Sequence, residues 1–201
     1  MDEAVLDAIT KWPDVPAVYG WLSLTARGQW RLHPQGDAID GGPGESITNE
    51  QILSFIARNY DCDDAKQWFF QNGPQRVYVR LDAAPLIISV DDAHGVLSTH
   101  IGTDIAHIFG WFIDEHGQLF ARTEQGPGLI LDKDLPRLVE DLQNEQGLSL
   151  AQWWAETSET ETTLSDVTKR FSCCQTPAKL ARIKSDTSAA TALGFCANPG
   201  A

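Results

Sequence analysis

The stretch from Gln67 to Leu81, QWFFQNGPQRVYVRL, constrains the fold of this chain most. Its incoming arm carries Trp68, Phe69 and Phe70. Its outgoing arm alternates, with Val77, Val79 and Leu81 on one face and Arg76, Tyr78 and Arg80 on the other. Asn72-Gly73-Pro74 between the arms is a reversal, so the segment reads as a β-hairpin.

Other elements line up around it. Asp2 to Trp12 reads as a short helix ended by Pro13, with Val5, Ala8, Ile9 and Trp12 on one face. Val18 to Leu24 and Gln29 to Leu32 form a first hairpin, and residues 34–46 a loop rich in Gly and Pro. Thr48 and Gln51 have the capping-box spacing at the start of a helix whose buried stripe is Ile52, Phe55 and Ile56. Leu86 to Val90 pairs with Val96 to Ile101, and Ile105 to Ile113 with Gln118 to Arg122. Residues 126–128, GPG, read as a break. Asp132 or Asp134 then caps a helix carrying Leu135, Leu138, Val139 and Leu142. Leu150 to Trp154 reads as a short helix, Ser158 to Thr163 as a polar link, and Leu164 to Phe171 as a further helix.

Two stretches resemble each other. Val18 to Trp30, VYGWLSLTARGQW, and Ile108 to Leu119, IFGWFIDEHGQL, share Gly-Trp and Gly-Gln pairs with one residue deleted. Each is followed by a Gly/Pro-rich loop, an amphipathic helix and a Gln-Trp pair. This order indicates a duplicated hairpin–helix unit. Trp21 and Trp111 then become equivalent core residues, because each sits inside an apolar run. The expected fold is α+β: antiparallel hairpins in one or two twisted sheets, with helices packed on one face. The expected division is a lobe over 1–103, a similar lobe over 104–164 and a basic tail over 165–201, whose composition permits disorder.

Charge narrows the function. The formal net charge is −13, with 28 acidic and 15 basic residues, and five of the bases lie in residues 166–201. Nucleic acid and anionic membranes select for Lys and Arg, so neither is an expected partner. No apolar run reaches the roughly 18 residues of a membrane helix, and the acidic start MDEAVLDAITKW is unlike a signal peptide. A cytoplasmic protein is expected, with reduced thiols at Cys62, Cys173, Cys174 and Cys196.

Among candidate sites, Arg76, Tyr78 and Arg80 share one strand face, the arginines roughly 13 Å apart. They suit an acidic peptide or a carboxylate ligand. The plainer reading is pairing with internal acids. With Trp68, Phe70 and Asn72 they form the candidate binding set. His94, His100, His107 and His116 lie among Asp91, Asp92, Asp104 and Asp114, and His94, His100, His107 and Asp104 are weak candidate metal ligands. His94 and His116 each precede a turn glycine, where polar residues are expected anyway. GGPGES before the Thr48 helix lacks the lysine of a phosphate loop. Cys62 sits among Asp61, Asp63 and Asp64, which raise a thiol pKa and oppose a nucleophilic role.

The segments VYGWLSLTARGQW, FIARNYD, WFFQNGPQRVYVRL and GWFIDEHGQL resemble an uncharacterised family of proteobacterial proteins, a domain of unknown function, over residues 13 to 145. The resemblance implies a bacterial cytoplasmic protein and supplies no activity. With no catalytic constellation and no cofactor motif, the expected function is a non-enzymatic binding or regulatory module. Its partner would be a protein with a basic or apolar patch, as in toxin-neutralising immunity proteins. The alternative is a metal-dependent hydrolase or small-ligand enzyme using the histidine cluster.

Overall fold

The central hairpin forms as its alternation requires: β5 (Trp68–Asn72) and β6 (Gln75–Leu81) are antiparallel, with Asn72 opposite Gln75 and Gly73-Pro74 as the turn. The computed structural model describes residues 1–91, 94–166, 171 and 177–200. They make an α+β protein with two sheets, of six and eight strands. The chain divides into two compact units. One comprises Met1–Pro85 with the residues from Gly194 onward, and the other Leu86–Leu193.

In the first unit, α1 (Glu3–Lys11) precedes β1 (Val18–Leu24) and β2 (Trp30–Leu32). Then follow β3 (Glu45–Ser46), α2 (Glu50–Arg58), β4 (Tyr60–Cys62) and the hairpin. The sheet order is β3-β2-β1-β6-β5-β4. All neighbours are antiparallel except β1 and β6, which are parallel. Asn49, not Thr48, caps α2: its side-chain oxygen accepts the N–H groups of Gln51 and Ile52 at 2.9 and 3.1 Å. Serving two of the four orphan N–H groups at a helix start outweighs the spacing that favours Thr48. Trp30, Tyr60 and Trp68 pack edge-on and tilted at about 5 Å between centroids, on the same sheet face as Leu24, Val79 and Leu81.

The second unit contains β7 (Leu86–Asp91), β8 (Val96–Thr99), β9 (Ile108–Ile113), β10 (Leu119–Thr123) and β11 (Gly126–Ile130). After them come α3 (Leu135–Asp141), β12 (Leu142–Asn144), α4 (Leu150–Glu156), β13 (Glu161–Asp166), β14 (Ala178–Arg182) and α5 (Ala189–Leu193). The expected break at 126–128 is instead part of β11. Pro127 is accommodated because the ladder to β7 begins only at Gly128. There a Cβ would lie 2.6 Å from the Ile88 side chain, so the closeness of the two strands requires glycine. The polar link and the helix expected from Leu164 are also corrected. Residues 161–166 form β13 between β12 and β14, and residues 167–170 and 172–176 lie outside the described residues.

Topology shows the duplication more clearly than residue identity does. Leaving out β7 and β8, the second sheet runs β11-β10-β9-β14-β13-β12. This is the order of the first sheet with each strand replaced by its counterpart. The one parallel pair inside each set also corresponds, β1 with β6 and β9 with β14. The two hairpin turns have equal length: Thr25 and Asp114 donate to Gln29 and Gln118 backbone oxygens, and Gly28 and Gly117 donate back. The residue dropped between the two Gly-Trp motifs therefore belongs to the strands. Counted back from the turns, Trp111 corresponds to Leu22, and Trp21 is one position out of step. The expected equivalence of the two tryptophans is thus corrected: Trp111 is 1% exposed and Trp21 is 45% exposed.

The cause lies at Gly20. Its φ is +79°, the β1 register against β6 shifts between Val18 and Leu22, and a Cβ at Gly20 would collide with the carbonyl of Gly36. Residues 33–42 close over this point, with Ala38 N–H donating to the Gly20 carbonyl and His33 N–H to that of Trp21. An irregular strand with close backbone approach turns the next side chain outward.

The repeats differ in one insertion. Between β12 and β13 the second unit carries α4, whose Leu150 and Trp153 join Leu138 of α3, Trp111 and Leu180 in one buried cluster. Between β4 and β5 the first unit has only the turn of residues 63–67, so it sets one helix, α2, where the second sets two.

Candidate functional site

The face of the first sheet carrying α2 is incompletely covered. Trp21 and Leu22 of β1, Leu32 of β2, Ile52 and Ile56 of α2 and Phe70 of β5 border a groove with a cavity volume of about 350 Å³. Leu32 and Ile52 are 42% and 48% exposed. The stripe expected to bury Ile52 therefore buries only Ile56 fully. Phe55 meets Phe70 edge-on at 5.5 Å. Asn72 and Gln75 add neutral amides to the lining, and among the described residues no charged side chain lines it. A concave, mostly apolar surface with a few polar groups is the usual form of a binding site.

The candidate residues of the central hairpin fall on both sides of the sheet. Trp68, Phe70 and Asn72 alternate onto the α2 face. There Trp68 is core, whereas Phe70 and Asn72 reach the groove. Arg76, Tyr78 and Arg80 lie on the opposite face, where they divide again. Arg80 pairs with Asp82 at 2.9 Å, and Tyr78 donates to Asp63 at 2.8 Å while stacking on Tyr19 at 4.6 Å. Arg76 stacks over Phe69 at 4.1 Å.

The histidines disperse. His94 lies 2.7 Å from Asp91 and is exposed. His100 accepts the N–H of Ile87 at Nδ1, and burial lowers its pKa to about 4. The His107 N–H donates to Glu124, and Asp104 bridges to Ser98. Among the described residues, no three His, Cys, Asp or Glu side chains come together around a metal position. Asp92, Cys173 and Cys174 lie outside the described residues. Burial holds the Cys62 thiol above its usual pKa, with Asp63, Asp61 and Asp64 adding to the effect and Lys66 opposing it.

One constellation was not legible in the sequence. His33 lies between Ser23 and Asp37, with Nε2 2.8 Å from the serine Oγ and Nδ1 3.2 Å from the carboxylate. A carboxylate can only accept, so Nδ1 carries a proton, and in the neutral imidazole Nε2 then accepts from Ser23. These are the contacts of a serine-hydrolase triad. A nucleophile must meet its substrate, however, and both Ser23 and His33 are fully buried. The relay pins the loop of residues 33–44 to β1. Backbone packing points the same way, since a Cβ at Gly44 would lie 2.7 Å from the His33 ring. The available signal was the His33–Asp37 spacing, which is common in loops and carries no weight without Ser23 beside it.

A sequence profile described as a protein of unknown function (DUF2946) matches residues 1–199. The chain belongs to that family. No curated protein matches this family member. Two solved structures align with it, both of DUF1285 family proteins. The one from Shewanella baltica OS155 is 20% identical, with 57% of this chain and 86% of that chain covered and a TM-score of 0.40. The one from Silicibacter pomeroyi DSS-3 is 14% identical, with 92% and 98% covered and a TM-score of 0.49. Likeness at this level carries no argument about the DUF2946 member. No helix among its described residues is long and apolar enough to cross a membrane.

Proposed function

We propose that this protein is a non-enzymatic binding module, and that the α2 groove of its first unit receives an apolar helix of a partner protein. The observation that carries this reading is the difference between the two repeats. The second buries its helix-bearing face under α3 and α4, whereas the first has α2 alone and leaves Trp21, Leu32 and Ile52 exposed. A partner helix with apolar residues at i, i+3 and i+4 supplies the cover that the first repeat lacks. The exposed Glu45 and Glu50 each lie two residues before a groove isoleucine, Ile47 and Ile52, so basic residues beside the partner's apolar stripe favour binding and speed the encounter.

An amphipathic leucine–lysine helical peptide, followed by fluorescence anisotropy, tests this reading. The wild type should bind it and bind a lysine–alanine peptide of equal charge at least tenfold more weakly. Ile52→Glu should remove the preference while the far-UV circular dichroism stays unchanged. Equal affinity for both peptides would reduce the binding to charge alone and defeat the proposal.

A further inference from the structure

We propose a second binding site, for a monocarboxylate with a short apolar stem, at Arg76 on the face of the first sheet opposite the groove. A depression with a cavity volume of about 250 Å³ lies there, lined by Arg76, Tyr78 and Gln71, with Ile9, Val15 and Pro74 among its apolar walls. It is independent of the α2 groove, and neither its support nor its test depends on the helix-docking reading.

Although the chain has 28 acidic residues, the two acids that the hairpin's own polar face engages are taken by other groups. Asp82 pairs with Arg80, and Asp63 accepts from the Tyr78 hydroxyl at 2.8 Å and from the Gln67 N–H at 2.9 Å. Arg76 forms no ion pair with an Asp or Glu among the described residues. Instead its guanidinium lies over the Phe69 ring at 4.1 Å, beside the Tyr78 phenol, whose pKa burial raises and the Arg76 charge, to a smaller extent, lowers. Packing on an aromatic ring restricts a guanidinium without consuming its charge, and a guanidinium unpaired with an acid grips a carboxylate with two parallel hydrogen bonds. Tyr78 is itself fixed by Tyr19 and Asp63, so the depression is built before any ligand arrives. Gln71 is buried, with its amide tied to the Gly73 carbonyl, and it shapes the floor. The walls at Ile9, Val15 and Pro74 are apolar, which selects a carboxylate with a hydrocarbon stem over a bare anion.

The test is an NMR titration of the full chain with butyrate, butyramide and N-acetyl-Ala-Val bearing a free carboxylate. The two acids should shift the Arg76 side-chain Nε–H and the Tyr78 ring saturably. Butyramide, isosteric but uncharged, should bind at least tenfold more weakly. Tighter binding of the peptide acid would identify a chain terminus as the ligand, and tighter binding of butyrate a small free acid. Arg76→Gln should weaken both at least tenfold, and Arg76→Lys should rescue only part, because an ammonium keeps the charge without the fork. Equal shifts from butyrate and butyramide, or no shift from either acid, would overturn the proposal without recourse to any variant.

Discussion

The hydroxyl of Ser23 lies 2.8 Å from Nε2 of His33, and neither residue is exposed to solvent. The pair ties the loop after β2 to the end of β1, three residues beyond the Gly20 irregularity that turns Trp21 toward the groove. The groove thus depends on a buried polar contact with no catalytic part.

His33→Ala should therefore destabilise the protein by about 2–4 kcal/mol, since it opens a cavity and strands the Ser23 hydroxyl. Ser23→Ala should cost less, about 1–2 kcal/mol. Urea unfolding measures both. Neither variant should change the rate of p-nitrophenyl acetate hydrolysis above the buffer background. A Ser23-dependent rate would show that the relay is catalytic after all.

Gly20→Ala should cost at least about 2 kcal/mol, combining an unfavourable positive φ with a collision against the Gly36 carbonyl. Gly117→Ala has the φ penalty alone, because its Cβ would meet nothing within 4 Å. It should cost about half as much by the same unfolding measurement.

Arg182 donates to the backbone oxygens of Trp153, Trp154, Thr157 and Glu159 at 2.9–3.3 Å and stacks on both tryptophan rings. It holds the end of α4 to β14. Arg182→Ala should lower stability by about 2 kcal/mol, and Arg182→Lys should recover little, because a lysine ammonium lacks the fork that spans these four carbonyls and the planar group that packs on both rings. In Arg182→Ala, hydrogen exchange should show α4 opening before the strands of the second sheet.

Stability should rise with pH between about 4 and 6.5. His100 titrates near 4 when folded because burial disfavours its charged form, against about 6.5 when unfolded. Over that interval the unfolded chain binds the extra proton, so acid favours unfolding. The stabilisation is complete above the unfolded pKa and lost as the pH falls toward the folded one. The full difference corresponds to about 3 kcal/mol, reduced because the residue keeps part of its surface in water. His100→Gln should flatten this part of the profile in urea midpoints taken from pH 7 to pH 4.

The elements with strong local signals were legible in the sequence. β1 occupies the expected residues, and the central hairpin turns at the expected Gly-Pro, because alternation and turn chemistry act over a few residues. The duplication was legible in the order of elements, yet its residue alignment slipped by one. A strand irregularity moves side chains between faces without leaving a mark in composition. β11 and β13 were hidden for a related reason: Gly126-Pro127-Gly128 and the polar run to Thr163 look like breaks, and only their partner strands make them pair. The groove depends on a helix that the first repeat lacks, a comparison available once both sheets are seen. The difference between Arg76 and Arg80 depends on Asp82 being on hand for only one of them.

The central claim is most directly tested by following the Trp21 indole Nε1–H and the Ile52 methyls in NMR spectra while the leucine–lysine helical peptide is added. Saturable shifts confined to Trp21, Leu32, Ile47, Ile52 and Phe70, abolished by Ile52→Glu in a folded protein, are the expected result. Shifts spread over acidic surface residues with Trp21 unmoved, or shifts that survive Ile52→Glu, would contradict the assignment of the groove as the binding site.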